Sequence, residues 1–354
     1  MSMGRGAGAI DRDRLALILD AAGLDAAHAS AVRCEPLPGG TYNTLYRLHL
    51  RETLAAPGGG NDAGPHRLIL KLPPEPGTAR LTYEANLLRN EAEFYRAAAR
   101  GTHVQVPKVL HCDPDGSVVR GGFLLMSECP GQPWYGTAVG DVEHARLRRQ
   151  LGASVAELHT VAGPSPYFGY PSGAVPTART WRRAFTSMLD AVLADASRFA
   201  CRLPVRVDRV RTLMRAAAPE LDAVTVPALV HFDLWQGNIL LSGEPGALRL
   251  SGLIDGERMF WGDPLAEFVS LNLFGAPEDD AALLAGYRSA GRNAEFDDGA
   301  RLRVALYRCY LYLIMLIESV PRGYTREQAA ETRDHASPAL VAALDTIANS
   351  PSAH

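Results

Sequence analysis

The sequence has almost no lysine. Of its 36 basic residues only Lys71 and Lys108 are lysines, and all the others are arginines. Arginine is the default cation of this chain. A lysine that persists is therefore a candidate for chemistry that needs a compact, strongly hydrated ammonium rather than a planar fork. An excess of one charge sign is also lacking: 36 basic against 39 acidic residues leave a net charge of −3, which excludes bulk electrostatic binding to nucleic acid or an anionic membrane. No apolar run approaches the ~20 residues that cross a bilayer; the longest, Cys309 to Ile317, is closed by Arg308 and Glu318. Arg5, Asp11, Arg12, Asp13 and Arg14 stand where a signal peptide needs an apolar stretch, so the expectation is a cytoplasmic protein. The five cysteines form no CxxC pair, and read as buried thiols rather than a disulfide framework or a zinc site.

With 354 residues, at ~100–200 residues per domain, the chain has room for two domains or one domain with two lobes. Residues 1–28 form a Gly-rich tail and a helix with Leu15, Ile18 and Leu19 at helical spacing. Residues 29–126 read as a β-rich lobe. Strands are expected at 32–37, 45–50 and 68–72, with a turn at Pro38-Gly39-Gly40 and a long Gly-rich hairpin loop over 51–65. A helix follows over 81–100, then strands at 104–111 and 122–126. Residues 127–131, broken at Pro130-Gly131, form a hinge. Residues 132–348 are mostly helical, with helices at 142–159, 180–199, 207–221, 279–291 and 300–318, and one hairpin from 239–241 to 248–254. The expected fold class is α+β, a small β-rich N-terminal lobe followed by a larger helical C-terminal lobe.

The strongest chemical signal is His231-Phe232-Asp233-Leu234-Trp235-Gln236-Gly237-Asn238, just before the hairpin, with Leu253-Ile254-Asp255 just after it. A hairpin so flanked brings Asp233, Asn238 and Asp255 to one end of a small sheet. Phosphoryl transfer needs such a set: a carboxylate to orient the attacking hydroxyl, and hard oxygen ligands for Mg²⁺ on the triphosphate. Asp233 suits the first role, Asn238 and Asp255 the second. Taken singly, Asp233 or Asn238 could equally cap a turn. Lys71 ends an apolar strand before Pro73-Pro74. On the expected helix Glu91 lies on the face of Leu87, Leu88, Phe94 and Tyr95, whereas Glu93 faces away. A carboxylate on a buried face is costly unless paired, and Lys71 is its natural partner. Gly39-Gly40-Thr41-Tyr42-Asn43 is either an ordinary turn or one whose backbone N–H groups approach phosphates. Met126 to Cys129 is extended and could present backbone groups to a nucleobase.

The stretches PGGTYNTLYRL, LILKL, LLRNEAEFYRAAA, VPKVLHCD, FLLMSECPG, LGASVAELHTV, HFDLWQGNILL and LIDGERMFWGDPLAEF, in this order, resemble the aminoglycoside phosphotransferase family. That family is related to choline kinase and fructosamine kinase and has the bilobal protein-kinase-like fold. The resemblance implies that Asp233 is the catalytic base, that Asn238 and Asp255 bind magnesium, and that Lys71 contacts the α- and β-phosphates, braced by Glu91. It further implies that Gly40, Thr41 and Asn43 belong to the glycine turn over the nucleotide, that the Ser127 to Cys129 backbone holds the adenine, and that His231 is structural. There are two departures. Phe232 stands where the family often has Gly, and Glu267 where it often has Asp, which weakens a direct role for that position.

Asp255 is followed by Gly262-Asp263-Pro264 after only a short stretch. That leaves no room for the peptide-docking segment of a protein kinase, so the acceptor is expected to be a small hydroxylated molecule. Asp263, Glu267, Asp279, Asp280 and Glu318 could form an acidic pocket for a polycation. Trp134, Tyr135, Trp181, Phe260, Trp261, Tyr307 and Tyr310 could equally line an apolar one. The arginine bias suggests a GC-rich genome, and the leading expectation is an ATP- or GTP-dependent, Mg²⁺-dependent kinase of an antibiotic hydroxyl, acting as monomer or homodimer. The alternatives are a metabolic kinase of a sugar, fructosamine or amino alcohol, and a non-catalytic nucleotide-binding protein.

Overall fold

The computed structural model describes residues 10–24, 32–38, 42–50, 67–163 and 167–350. They divide into two compact units. The first is drawn from residues 1–78 and 106–129, the second from 79–105 and 130–354. The chain passes from one to the other between Cys129 and Pro130, within the segment expected as a hinge. The helix expected over 81–100 falls in the second unit rather than with the strands that flank it in sequence.

In the first unit, β1 (Arg33–Leu37), β2 (Thr44–His49), β3 (Arg67–Leu72), β4 (Val109–Asp113) and β5 (Phe123–Ser127) form one antiparallel sheet in the order β1-β2-β3-β5-β4. The period-2 pattern decides which side is filled. Leu48 of β2 lies opposite Leu68 of β3, and Tyr46 opposite Leu70. All four are buried, with Phe123 and Leu125 of β5, against Leu15, Ile18 and Leu19 of α1 (Arg12–Ala21). Burial of each such leucine contributes about 2 kcal/mol. The helix starts where the Asp11 carboxylate accepts the Arg14 N–H at 3.4 Å. β4 begins later than the expected residue 104, because Pro107 cannot donate to a ladder.

The second unit opens with α2 (Leu87–Gly101), then β6 (Gln132–Pro133), α3 (Asp141–Leu158), α4 (Trp181–Arg198), α5 (Val207–Ala217) and β7 (Ala228–Val230). β8 (Ile239–Ser242), β9 (Arg249–Leu253), β10 (Phe260–Gly262), α6 (Glu267–Leu271), α7 (Ala281–Ser289), α8 (Asp298–Glu318) and α9 (Arg326–Ala348) follow. β8 and β9 are the expected hairpin, extended by β6, and β10 pairs antiparallel with β7. α8 is buried along most of its length and packs on α4 and α9. The element order and the three sheets match the α+β expectation. Among the described residues no helix is long and apolar enough to cross a membrane.

Candidate active site

The loop between β7 and β8 carries Asp233 and Asn238, and its form follows from three internal partners. His231 is fully buried, and its Nδ1 accepts the Asp233 N–H at 3.2 Å while Nε2 lies 2.9 Å from the Ile254 carbonyl. Nε2 must therefore carry the proton, and the ring is a neutral spacer between the loop and the end of β9. Its edge meets Phe94 of α2, ring centroids 4.8 Å apart. The structural role expected of His231 is what this geometry provides. Ser270 Oγ accepts the Leu234 N–H at 3.0 Å. Asn238 Nδ2 donates to the Asp233 carbonyl at 2.8 Å, and the Asn238 carbonyl accepts the Ile254 N–H at 3.0 Å. This leaves the Asn238 amide oxygen as the atom available to a cation.

Glu267 is the third partner. Its buried carboxylate accepts the N–H groups of His231 at 2.7 Å and Phe232 at 3.0 Å. The sequence marked this position as a departure with a weakened role, yet it holds the backbone on which Asp233 stands. Burial pushes its carboxyl up to about 7. His159, 4.0 Å away, is no counter-ion, because burial drives it down to about 3 and keeps it neutral.

Phe232 occupies the left-handed region at φ +63°, as does Asp255 at +63°. Bulky residues rarely adopt that conformation. At Phe232 the ring is fully buried between Phe260 and Tyr310, centroids 5.0 and 5.9 Å away. At Asp255 the N–H donates to Tyr95 Oη at 2.8 Å, and Tyr95 Oη in turn donates to Glu91 Oε1 at 2.8 Å. α2 can approach this closely because residue 256 is Gly. A Cβ there would come within 2.5 Å of the Phe94 ring.

Glu91 is buried on α2, as its facing predicted. It is grouped with Asp255 and Glu257, each offering one carboxylate oxygen within 4.8 Å of the others. Hard oxygen donors of this kind suit Mg²⁺, so these residues fit the expected ion. Glu257 went unnoticed in the sequence, where it reads as one more acid after the Asp.

Asp233 is 22 % exposed at its side chain. Burial pushes its carboxyl up to about 7, opposed by Arg258 and reinforced by the charges of Asp255, Glu318 and Glu257. The Arg258 guanidinium lies 3.7 Å from Oδ2.

Lys71 lies on β3 between Leu45 of β2 and Leu124 of β5, buried. Lysine is rarely buried unless its charge is compensated. Asn43 is buried just before β2; Gly40 and Thr41 lie outside the described residues, as does the hairpin loop at 51–65. At the end of β5 the Ser127 N–H is bound to the Lys108 carbonyl and the Glu128 N–H to that of Arg67. Of the backbone donors expected to face the adenine, those two are committed, which leaves Cys129.

Four of the five expected pocket acids have internal partners: Asp263 caps Leu265 and accepts from Arg303 and Tyr307, Asp280 pairs with Arg148, Glu318 with Arg258 and Arg322, and Glu267 serves the loop, while Asp279 is exposed. The proposed aromatic lining is core, except for Tyr135. Tyr135 is 68 % exposed, and its ring lies 5.4 Å from that of Trp235, itself 41 % exposed. Trp235 stands two residues after Asp233 and was not singled out in the sequence. Its indole folds over Gly237, where a Cβ would come within 2.2 Å of the ring.

The sequence model of one family, described as a phosphotransferase enzyme family, matches residues 33–305. A protein of Synechocystis sp. named "Probable ketoamine kinase slr1563" is 32% identical over 175 residues, which are 46% of this chain and 53% of that one. The alignment thus spans about half the length of this curated relative. Among solved structures, a "putative fructosamine-3-kinase" of Thermobifida fusca has a TM-score of 0.63 at 20% identity, covering 96% of this chain and 100% of that one. A thermostable mutant of aminoglycoside phosphotransferase APH(4)-Ia, in a ternary complex with AMP-PNP and hygromycin B, has a TM-score of 0.57 at 15% identity, covering 90% of this chain and 96% of that one. At these identities the structures establish the fold, which is the expected protein-kinase-like α+β fold.

Proposed function

The chain belongs to the phosphotransferase enzyme family, and from that premise we propose that it is an ATP-dependent kinase that moves the γ-phosphate to a hydroxyl of a ketoamine-type sugar derivative. The observation that carries the chemistry is the loop geometry. Asp233 is fixed through its own backbone by His231 and Asn238, and through the N–H groups of the two preceding residues by Glu267, while its carboxylate accepts no hydrogen bond among the described residues. A carboxylate so placed can accept the proton of an acceptor hydroxyl and aim its oxygen in line with the phosphate. Mg²⁺ held by Asn238 and Asp255, with Glu257 and Glu91 beside them, would neutralise charge on the phosphates. Lys71 is proposed to contact the α- and β-phosphates with Glu91 as its brace. Asn43, with Gly40 and Thr41, is proposed to stand near the phosphates, and the Cys129 N–H, next to Ser127, at the base.

Two observations favour a ketoamine over a polycationic antibiotic. The curated relative is named for ketoamines, and four of the five carboxylates expected to draw a polycation are committed to internal partners. The exposed Tyr135–Trp235 pair, whose tryptophan follows Asp233 by two residues in sequence, offers an apolar surface of the kind on which a sugar ring packs. The antibiotic reading draws on the hygromycin-bound structure and forms the second arm of the test. The purified protein is given ATP and Mg²⁺ with a fructosamine, an unmodified sugar, an amino alcohol, an aminoglycoside and a macrolide, and the products are identified by mass. The proposal expects a phosphomonoester on the fructosamine with kcat/KM at least about tenfold above the antibiotics, which corresponds to ~1.4 kcal/mol of discrimination. Turnover confined to an antibiotic overturns the acceptor assignment. Turnover of none overturns the kinase.

A further inference from the structure

A line of buried, alternating charges runs away from Asp233. Arg258 Nε lies 3.7 Å from Asp233 Oδ2, and Arg258 Nη2 donates to Glu318 Oε2 at 2.9 Å. Glu318 Oε2 is 3.3 Å from Arg322 Nη2, which donates to Glu84 Oε1 at 2.6 Å. Glu84 Oε2 ends the line by accepting the Leu81 N–H at 2.7 Å. Every side chain behind Asp233 is at most 9 % exposed. The Tyr83 hydroxyl is buried beside them without a hydrogen bond among the described residues.

Such a line is a poor source of stability. Desolvating several charges costs about as much as their attraction returns, and well-packed apolar side chains often do better. Its geometry suits another purpose. The Arg258 guanidinium is close enough to Asp233 to favour its anion, yet too far to hydrogen-bond and so occupy the lone pairs that a base must keep free. An arginine left to itself would swing to a bidentate contact with Asp233, the fork geometry it prefers. Glu318 prevents that by taking Nη2, and Arg322 and Glu84 hold Glu318 in turn. We propose that Glu318 is a positioning residue for the transfer reaction: backed by Arg322 and Glu84, it holds Arg258 beside the Asp233 carboxylate without letting the guanidinium capture it. The proposal rests on the reading of Asp233 as the acceptor-orienting group.

The test is steady-state kinetics on Glu318→Gln, Glu318→Asp, Arg322→Lys and the double variant Arg258→Met/Glu318→Gln, beside Arg258→Met alone, with nucleotide binding measured separately. Glu318→Gln is expected to lower kcat about ten- to hundredfold, the scale of a small misplacement at a reacting centre, with KM for ATP within about twofold of the wild type. Glu318→Asp recovers part of kcat because it keeps the charge. The double variant comes close to Arg258→Met alone, because Glu318 acts chiefly through Arg258 and its own charge is a lesser influence on Asp233. A kcat for Glu318→Gln within about twofold of the wild type overturns the proposal, as does a double variant whose loss is the product of the two single losses. If Glu318→Gln does not fold, Arg322→Lys decides: a severalfold loss of kcat at unchanged ATP binding supports the proposal, and wild-type kcat overturns it. A wild type that phosphorylates no acceptor refutes the kinase reading itself, a result distinct from any of these.

Discussion

Phe232 carries two opposing energies, and substituting it separates them. Its ring is fully buried against Phe260 and Tyr310, so truncation to Ala loses about 3–5 kcal/mol in apolar contacts and the cavity left behind. Its backbone sits at φ +63°, which costs an L-residue about 1–2 kcal/mol. Ala keeps that strain, because it keeps a Cβ. Gly sheds it, at a cost of about 0.5–1 kcal/mol in extra chain entropy. Phe232→Ala should therefore destabilise by about 3–5 kcal/mol and Phe232→Gly by up to about 1.5 kcal/mol less, an inversion of the usual order in which Ala is the better tolerated residue. Urea unfolding of the three proteins, followed by far-UV dichroism at one pH, measures the difference. An alanine variant as stable as the glycine variant, or more so, refutes the strain assignment. A glycine variant as stable as the wild type refutes the packing account of why Phe is tolerated at this strained position.

Two further predictions concern the same loop. Asp233 must be ionised to accept a proton, and its carboxyl is raised to about 7, first by burial. The acid limb of kcat/KM for the acceptor should therefore fall near pH 7, by about tenfold per unit below it, and a profile flat from pH 5 to 8 contradicts this. Because Asp233 and Glu267 are raised above their unfolded values, the folded chain keeps protons that the unfolded chain has released. Their contribution to stability is thus present below the ordinary carboxylate range and is lost as pH rises to about 7. Tm values of the nucleotide-free protein that climb across that window because of these two groups, as judged against Glu267→Gln, contradict the assignment. Glu267→Gln can satisfy only one of the two N–H groups that the carboxylate now holds, so kcat should drop about tenfold or more through misplacement of Asp233 while nucleotide binding is kept. Unchanged kcat would show that the loop needs no such support.

The parts of the site that were legible in sequence are local. His231, Asp233 and Asn238 share one loop, Asp255 closes the hairpin that starts after it, and a 3.6-residue period was enough to turn Glu91 inward on α2. What sequence could not show depends on partners far along the chain. Arg258 meets Glu318 60 residues later and Arg322 meets Glu84 238 residues earlier, and no pattern of spacing announces such pairs. Glu267 looked like a lapse from a family preference because its value lies in two backbone N–H groups some 35 residues upstream. The fold shows the same division. Strands and helices with clear periodicity stand within a few residues of expectation. β10 is too short to announce itself, and α9 has few apolar positions and a proline, Pro338, inside it. The membership of α2 in the second unit is a tertiary fact, set by Phe94, Tyr95 and Asn90 meeting the 255–258 segment.

The most direct test of the account is phosphate transfer by Asp233→Asn compared with the wild type, both saturated with ATP and Mg²⁺ and matched for nucleotide affinity, with the phosphorylated acceptor itself measured. Asn keeps the size and the loop contacts of Asp233 but cannot take a proton. The wild type should form phosphomonoester while the variant binds nucleotide as tightly and forms it at least about 10²-fold more slowly, the scale of a lost positioned base. Product formed by the variant at the wild-type rate would mean that the carboxylate at the centre of this site is not the group that delivers the acceptor to the phosphate.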